Sequence, residues 1–284
     1  MGYNLREALQ ETLVDWEQDL DPDWQEALGN VELDFDGVAD ELTLEPWEPI
    51  FPSRRQKTFP GEPDNAHMLR AFDHISPDSV RCVILGQDPY PCPAFSTGRA
   101  FEAGNVAQWR ELDKMFSKSV RAFIQLIVAA RTGNDDYAAD FSRWPGMLTD
   151  IEQGRTNLEA PVDLADRWVA SGVLLLNPSL TLSRFKVDLD DHQSKGHLLL
   201  WRPLMLAVLG LLAKRRKPTV YLGFGDAAAE TFALAGLSEG PNKSNQHVIL
   251  CAHPAFAEQA LGRDNPFSLC NQILRAAGEQ HISW

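Results

Sequence analysis

Three residues of contrasting chemistry follow short apolar runs in this 284-residue chain. Asp88 follows residues 80–85, inside Gly86-Gln87-Asp88-Pro89-Tyr90; Asn177 follows 173–176; His253 follows 247–251. A carboxylate, an amide and an imidazole supply a fixed negative charge, a two-way hydrogen-bonding edge and a group that titrates near neutrality. Each alone has a plain structural use: Asp88 as a helix cap, Asn177 as the closure of a turn, His253 as a hydrogen-bonded histidine beside a core strand. Their shared position at the ends of apolar runs sets them apart.

The runs read as buried strands, and a fourth, at 219–222, ends in Gly223-Phe224-Gly225-Asp226. Between them lie segments with helical periodicity, at 115–130 and 198–214, the second closing in Lys214-Arg215-Arg216-Lys217, where cations suit a helix C-terminus. Strands alternating with helices predict an α/β fold, an αβα sandwich around a central four-stranded parallel sheet. Sites in such sheets form beyond the carboxyl ends of the strands. Asp88, Asn177 and His253 are therefore expected to converge on one crevice, although 165 residues separate the first from the last.

Composition narrows the class. A hydrophobic content of 44% supports a sizeable core. The longest apolar stretch, 204–213, is shorter than the roughly 20 residues of a membrane span and reads as a core helix, and residues 1–6 lack a basic, apolar leader. The expectation is a soluble cytoplasmic protein with no membrane partner. Cys82, Cys92, Cys251 and Cys270 show no paired CxxC spacing, and the seven histidines show no ligand spacing, so reduced thiols and no metal are expected.

The net charge of −14 lies wholly in residues 1–50, which hold one basic and fifteen acidic side chains; the rest holds 25 of each. Charge alone therefore argues no affinity for nucleic acid, while leaving room for a local basic face. Within the acidic segment Leu5, Leu9, Leu13, Trp16 and Leu20 recur near helical spacing, which predicts an amphipathic helix and a division into an extension, 1–48, and a domain, 49–284. A proline-rich passage at 46–63 leads to a helical pattern at 67–75, with Met68, Leu69 and Phe72 on its apolar face.

Gly86-Gln87-Asp88-Pro89-Tyr90 followed by Phe101, Leu174-Leu175-Leu176-Asn177 followed by Leu180-Thr181, and a strand ending in His253-Pro254 resemble the motifs of the family 1 uracil-DNA glycosylases. Phe51-Pro52, Asp191-His192 with Gly196, and Ile282-Ser283-Trp284 extend the resemblance over about 45–284. It implies a uracil-DNA glycosylase-like fold and an enzyme that hydrolyses the N-glycosidic bond of a flipped-out pyrimidine in DNA, uracil first, leaving an abasic site without a cofactor.

By this resemblance Asp88 orients the attacking water and stabilises the cationic sugar, while His253 donates to O2 of the leaving base, helped by the Gln87 backbone. Phe101 offers a face for the base, Asn177 reads its edge, and Tyr90 stands against C5, where it excludes thymine. Charge of opposite sign on the two sides of the breaking bond is what the reaction requires.

The departures lie where the family handles the duplex. His253-Pro254 continues into Ala255-Phe256-Ala257-Glu258, so Ala257 stands where the family places a leucine wedge, and Phe256 is the apolar ring next to it. Gly225-Asp226 replaces Gly-Ser at a phosphate contact, Pro91 replaces a histidine, and no proline occurs between Pro93 and Pro145. The expected duplex-facing set is Ser179, Gly225, Pro254, Phe256 and Ala257, with Lys114, Lys118, Arg121, Arg184, Lys186 and Lys195 as phosphate candidates. Two alternatives stay open: the same chemistry on a modified base of phage DNA, such as hypermodified cytosine, in antiviral defence, and a non-catalytic DNA- or protein-binding homologue.

Overall fold

The computed structural model describes residues 2–114, 118–184 and 190–284. The acidic segment contains β1 (Tyr3–Asn4), α1 (Leu5–Thr12), a 3₁₀ turn (Trp16–Asp19), α2 (Pro22–Leu28) and β2 (Thr43–Leu44), which pairs antiparallel with β1. The single amphipathic helix expected here is broken in two. Asp15 takes a left-handed backbone, φ 53°, and Pro22 opens a new helix at its first turn, where its missing N–H costs nothing. The apolar spacing survives the break, and Leu5, Leu9, Trp16, Trp24 and Leu28 are buried in one continuous core with the rest of the chain.

The central sheet is built from β3 (Cys82–Leu85), β4 (Val173–Leu176), β5 (Thr219–Phe224), β6 (Gly240–Pro241) and β7 (Gln246–Cys251), in the order β4-β3-β5-β7-β6. The four expected strands are all parallel. The fifth, β6, is a two-residue antiparallel addition to β7. A Gly-Pro pair carries no apolar alternation, so no signal in the sequence marked it. β3, β4 and β5 are buried along their whole length, which is why they read as unbroken apolar runs.

The helices of this part are α3 (Lys118–Thr132), α4 (Trp144–Glu152), α5 (Pro161–Ala170), α6 (Leu198–Lys214), α7 (Asp226–Leu234), α8 (Ala257–Ala260) and α9 (Pro266–Ala276). Residues 115–117 of the periodicity ascribed to α3 lie outside the described residues. The pattern at 67–75 gives only a 3₁₀ turn (Arg70–Phe72), because His74 takes a left-handed backbone, φ 60°, and Pro77 follows. Met68, Leu69 and Phe72 are nonetheless buried. The helical run Gln193–Lys214 is apolar and long enough to cross a membrane by length and composition, and half of it is buried inside this fold.

Register decides where the chain leaves the sheet. Leu85 lies opposite both Leu176 and Gly223, and Phe224 lies opposite Cys251. The segments beginning at Gly86, Asn177, Gly225 and Ala252 therefore emerge at one rim.

Candidate active site

Gly86 is the first residue past β3, and a methyl group there would stand 2.6 Å from Asn177 Oδ1 and 3.4 Å from the Phe101 ring. Only glycine leaves room for the buried amide of Asn177 and the edge of Phe101 to meet above the strand tip. The loop between them is tied back to the sheet, with Gly86 N–H donating to Leu176 O at 2.9 Å and Ala100 N–H to Leu175 O at 3.2 Å.

Phe101 holds a left-handed backbone, φ 59°, which costs a non-glycine residue roughly 1–2 kcal/mol. Packing of its ring offsets that strain. It stacks on Phe123 of α3 at 4.1 Å and 5°, meets the edge of Phe224 at 5.2 Å, and lies 6.5 Å from the His253 imidazole. The His253 side is shaped by Gly225, φ 91°, where an added methyl would stand 3.0 Å from the His253 Cβ. Glycine is needed there twice over, for the backbone and for the histidine.

Burial pushes the Asp88 carboxyl up to about 6, against the opposing pull of hydrogen bonds from the Gln193 and Gln87 side chains. The Gln193 amide donates to Asp88 Oδ2 at 2.8 Å. His253 moves the other way, its imidazole held below the usual range by burial. Its Nδ1 accepts the Ala255 N–H at 3.2 Å, so the neutral ring carries its proton on Nε2. Above about pH 6.5 the rim thus presents an anion and a neutral N–H donor. Burial, reinforced by the Glu102 carboxylate, pushes the Tyr90 phenol well above its usual range, so it stays protonated.

Gln193 had not been singled out. The signal was present, since Asp190-Asp191-His192-Gln193 ahead of an apolar run is the spacing of a helix capping box.

The duplex-facing expectations fare unevenly. Phe256 is 60% exposed next to the His253 loop. Ala257 is fully buried at the start of α8, and Ser179 and Pro254 are also buried, with the Ser179 hydroxyl donating to Thr181 O at 2.8 Å. All three are turned into the protein in this structure. Gly225 is taken up by its contact with His253, and Asp226 beside it is exposed.

The cations are largely engaged within the chain. Lys118 pairs with Glu258 at 2.8 Å, Arg121 lies 3.7 Å from Asp113 and over the Phe141 ring, and Arg184 grips both oxygens of Glu48. Lys195 pairs with Asp191 at 3.3 Å, and Lys114 is exposed. Lys186 lies outside the described residues. Among the described residues no three His, Cys, Asp or Glu side chains gather to hold a metal ion.

No family model matches the chain. It is 28% identical to a uracil-DNA glycosylase of Azobacteroides pseudotrichonymphae over 225 residues, which is 78% of this chain and 82% of that protein. It is 27% identical to the uracil-DNA glycosylase of Exiguobacterium sibiricum over 241 residues, 84% of this chain and 89% of the relative. Among solved structures, the UNG of Nitratifractor salsuginis superposes with a TM-score of 0.60 at 22% identity, covering 94% of this chain and 96% of that one. The mimivirus UNG Y322L in complex with UGI gives 0.62 at 14% identity, over 100% and 96%.

Proposed function

We propose that this chain, 27–28% identical to uracil-DNA glycosylases over most of its length, hydrolyses the N-glycosidic bond of an extruded pyrimidine in DNA, with uracil as the base released. The observation that carries the reading is the grouping of Asn177, Phe101 and His253 about the tip of β3, two residues from Asp88. A half-buried acid and a neutral imidazole beside an aromatic face are the parts this bond requires.

As the bond lengthens, positive charge builds on the sugar and negative charge on the base. Ionised Asp88 stabilises the sugar cation and orients the water whose oxygen joins C1′. His253 keeps Nε2–H available for O2 of the departing uracil anion, because the Ala255 N–H occupies the opposite nitrogen. A neutral donor is the apt group here. An imidazolium would protonate the base only after losing the hydrogen bond at Nδ1. Each such interaction is commonly worth roughly 3–4 kcal/mol of barrier.

Recognition follows from the same groups. The Phe101 ring, braced from behind by Phe123, gives the extruded base a flat apolar surface. The Asn177 amide accepts from uracil N3–H and donates to O4; cytosine, with an amine at C4 and no proton on N3, opposes like with like. Tyr90 excludes a C5 methyl, and exposed Phe256 fills the gap that the base leaves in the stack.

The test is release of free uracil, with an abasic site left behind, from a uracil-containing oligonucleotide. Wild type is expected to turn over without added metal, and Asp88→Asn to lose activity by several orders of magnitude. Equal rates for the two would overturn the assignment.

A further inference from the structure

We infer that Gln193 is a positioning residue for Asp88, delivered by a π-helical turn that the acidic N-terminal segment clamps from outside. The inference rests on the reading of Asp88 as the working acid and assigns the control of its charge to a residue 105 positions away.

The amide of Gln193 has a determined orientation. Asp190 N–H donates to Gln193 Oε1 at 3.0 Å, one half of a capping box, while the Asp190 carboxylate accepts from His192 N–H at 2.9 Å. With its oxygen so used, Gln193 has its NH₂ left to give, and it gives it to Asp88 Oδ2 at 2.8 Å. Gln193 is buried and Asp88 half-buried, so the bond acts at reduced dielectric, where it favours the ionised acid.

The turn Gln193–His197 is π-helical, an uncommon conformation that enriches at functional sites and persists only where surroundings hold it. Two sets of contacts hold this one. Inside, Trp201 donates to Thr181 Oγ1 at 2.7 Å, Thr181 meets His197 Nδ1 at 2.8 Å, and Ser183 bridges His197 Nε2 at 2.9 Å to His192 Nδ1 at 2.8 Å. A single ordering of protons satisfies the chain: Trp201 to Thr181 to His197 to Ser183 to His192, with His192 Nε2–H left for the Thr43 carbonyl. Both histidines that flank the turn are thereby fixed and neutral, His197 driven down to about 3 by burial.

Outside, the acidic segment closes over the turn. Ala39 N–H donates to Lys195 O at 2.9 Å, Asp34 N–H to Leu200 O at 3.2 Å, and a methyl on Gly196 would stand 3.2–3.3 Å from Leu5 and Leu42. Thr43 O also accepts from Arg184, which holds Glu48. The titratable or charged groups packed about the Gln193–Asp88 pair are therefore Asp190, His192, Lys195 and His197 on or beside the turn, Glu48 at the end of the acidic segment with Arg184 beyond β4, and His253 on the same rim.

Gln193→Glu separates positioning from scaffolding, because a glutamate keeps the capping oxygen and sets a second carboxylate against Asp88. The Asp88 carboxyl carbon, followed by NMR through a pH titration and assigned by its loss in Asp88→Asn, is expected to titrate at least about one unit higher in Gln193→Glu. The acidic limb of the base-release rate should rise with it, giving a loss about fivefold greater at pH 6 than at pH 8. An unchanged Asp88 titration in a folded Gln193→Glu protein would overturn the inference. The NMR arm needs no turnover, so absence of base release by wild type would condemn the proposed function and leave this assignment standing on its own result.

Discussion

Asn177 Oδ1 occupies the space that a side chain at Gly86 would fill, the two being separated by 2.6 Å when a methyl is built there. The edge-reading amide and the tip of β3 are thus interlocked, and specificity is coupled to the strand that carries Asp88. Gly86→Ala should push the amide aside at an ordinary backbone conformation. The expected outcome is a fall of about 10–100-fold in kcat/KM for uracil, a loss of about 1.4–2.7 kcal/mol of transition-state binding, with the thermal midpoint nearly unchanged. Steady-state kinetics beside a melting curve checks both.

Asp88 is held at a cost to the fold, and the sign of that cost can be worked out. Its folded-state value, about 6, lies above that of an exposed aspartate, so the native protein binds more protons than the unfolded chain between roughly pH 4 and 6. The contribution of this group to stability is complete below that window and is lost as pH rises through 6. Asp88→Asn, neutral at every pH, should therefore be more stable than wild type at pH 8, by on the order of 1–3 kcal/mol. The difference should vanish at pH 4. Urea denaturation at the two pH values measures it.

The same titration shapes catalysis. The wild-type rate should climb tenfold per pH unit below about 6 and level off above it, since the carboxylate is the active form. The neutral His253 donor adds no alkaline limb near pH 8. His253→Ala should lower the plateau by about 10²–10³-fold without moving the midpoint of the acidic limb. Single-turnover rates across pH 5–9 separate the two roles.

Tyr90→Ala should admit thymine and bases with larger C5 groups, measured as release of free thymine from an unmodified oligonucleotide. Unchanged selectivity would remove Tyr90 from the gate. Phe256→Ala should slow release from duplex DNA much more than from single strands, because a single strand leaves no stacked gap to fill.

Beside its apolar contacts, the acidic segment is held by ion pairs to the rest of the chain, of which Arg54 with Asp19 is the best enclosed, at 7% and 12% side-chain exposure. Removing one partner strands the other charge, and Arg54→Met should cost about 3–5 kcal/mol. Calorimetry of the full chain checks it.

Much of this was legible in the chain itself, for physical reasons. β3, β4 and β5 are buried on both faces, so their apolar runs stood out, and parallel topology alone brought Asp88, Asn177 and His253 to one rim. What escaped depends on contacts with no period in sequence. The break at Asp15 turns on one left-handed residue, β6 on two residues of hairpin, and the inward turn of Ser179 and Ala257 on tertiary packing. Gln193 escaped because a capping residue and a residue that reaches the site have the same local spacing; the partner 105 positions away tells them apart. Lys118 and Arg184, candidates for phosphate contact by their charge, are held by Glu258 and Glu48.

The most direct test of the account is single-turnover release of free base from oligonucleotides that carry one uracil, one thymine or one hypermodified cytosine, by wild type and by Asp88→Asn. The account predicts release of uracil alone by wild type, leaving an abasic site, and a rate reduced at least about a thousandfold in the variant. Release of the modified cytosine in place of uracil, no release from any strand, or equal rates for the two proteins would contradict it.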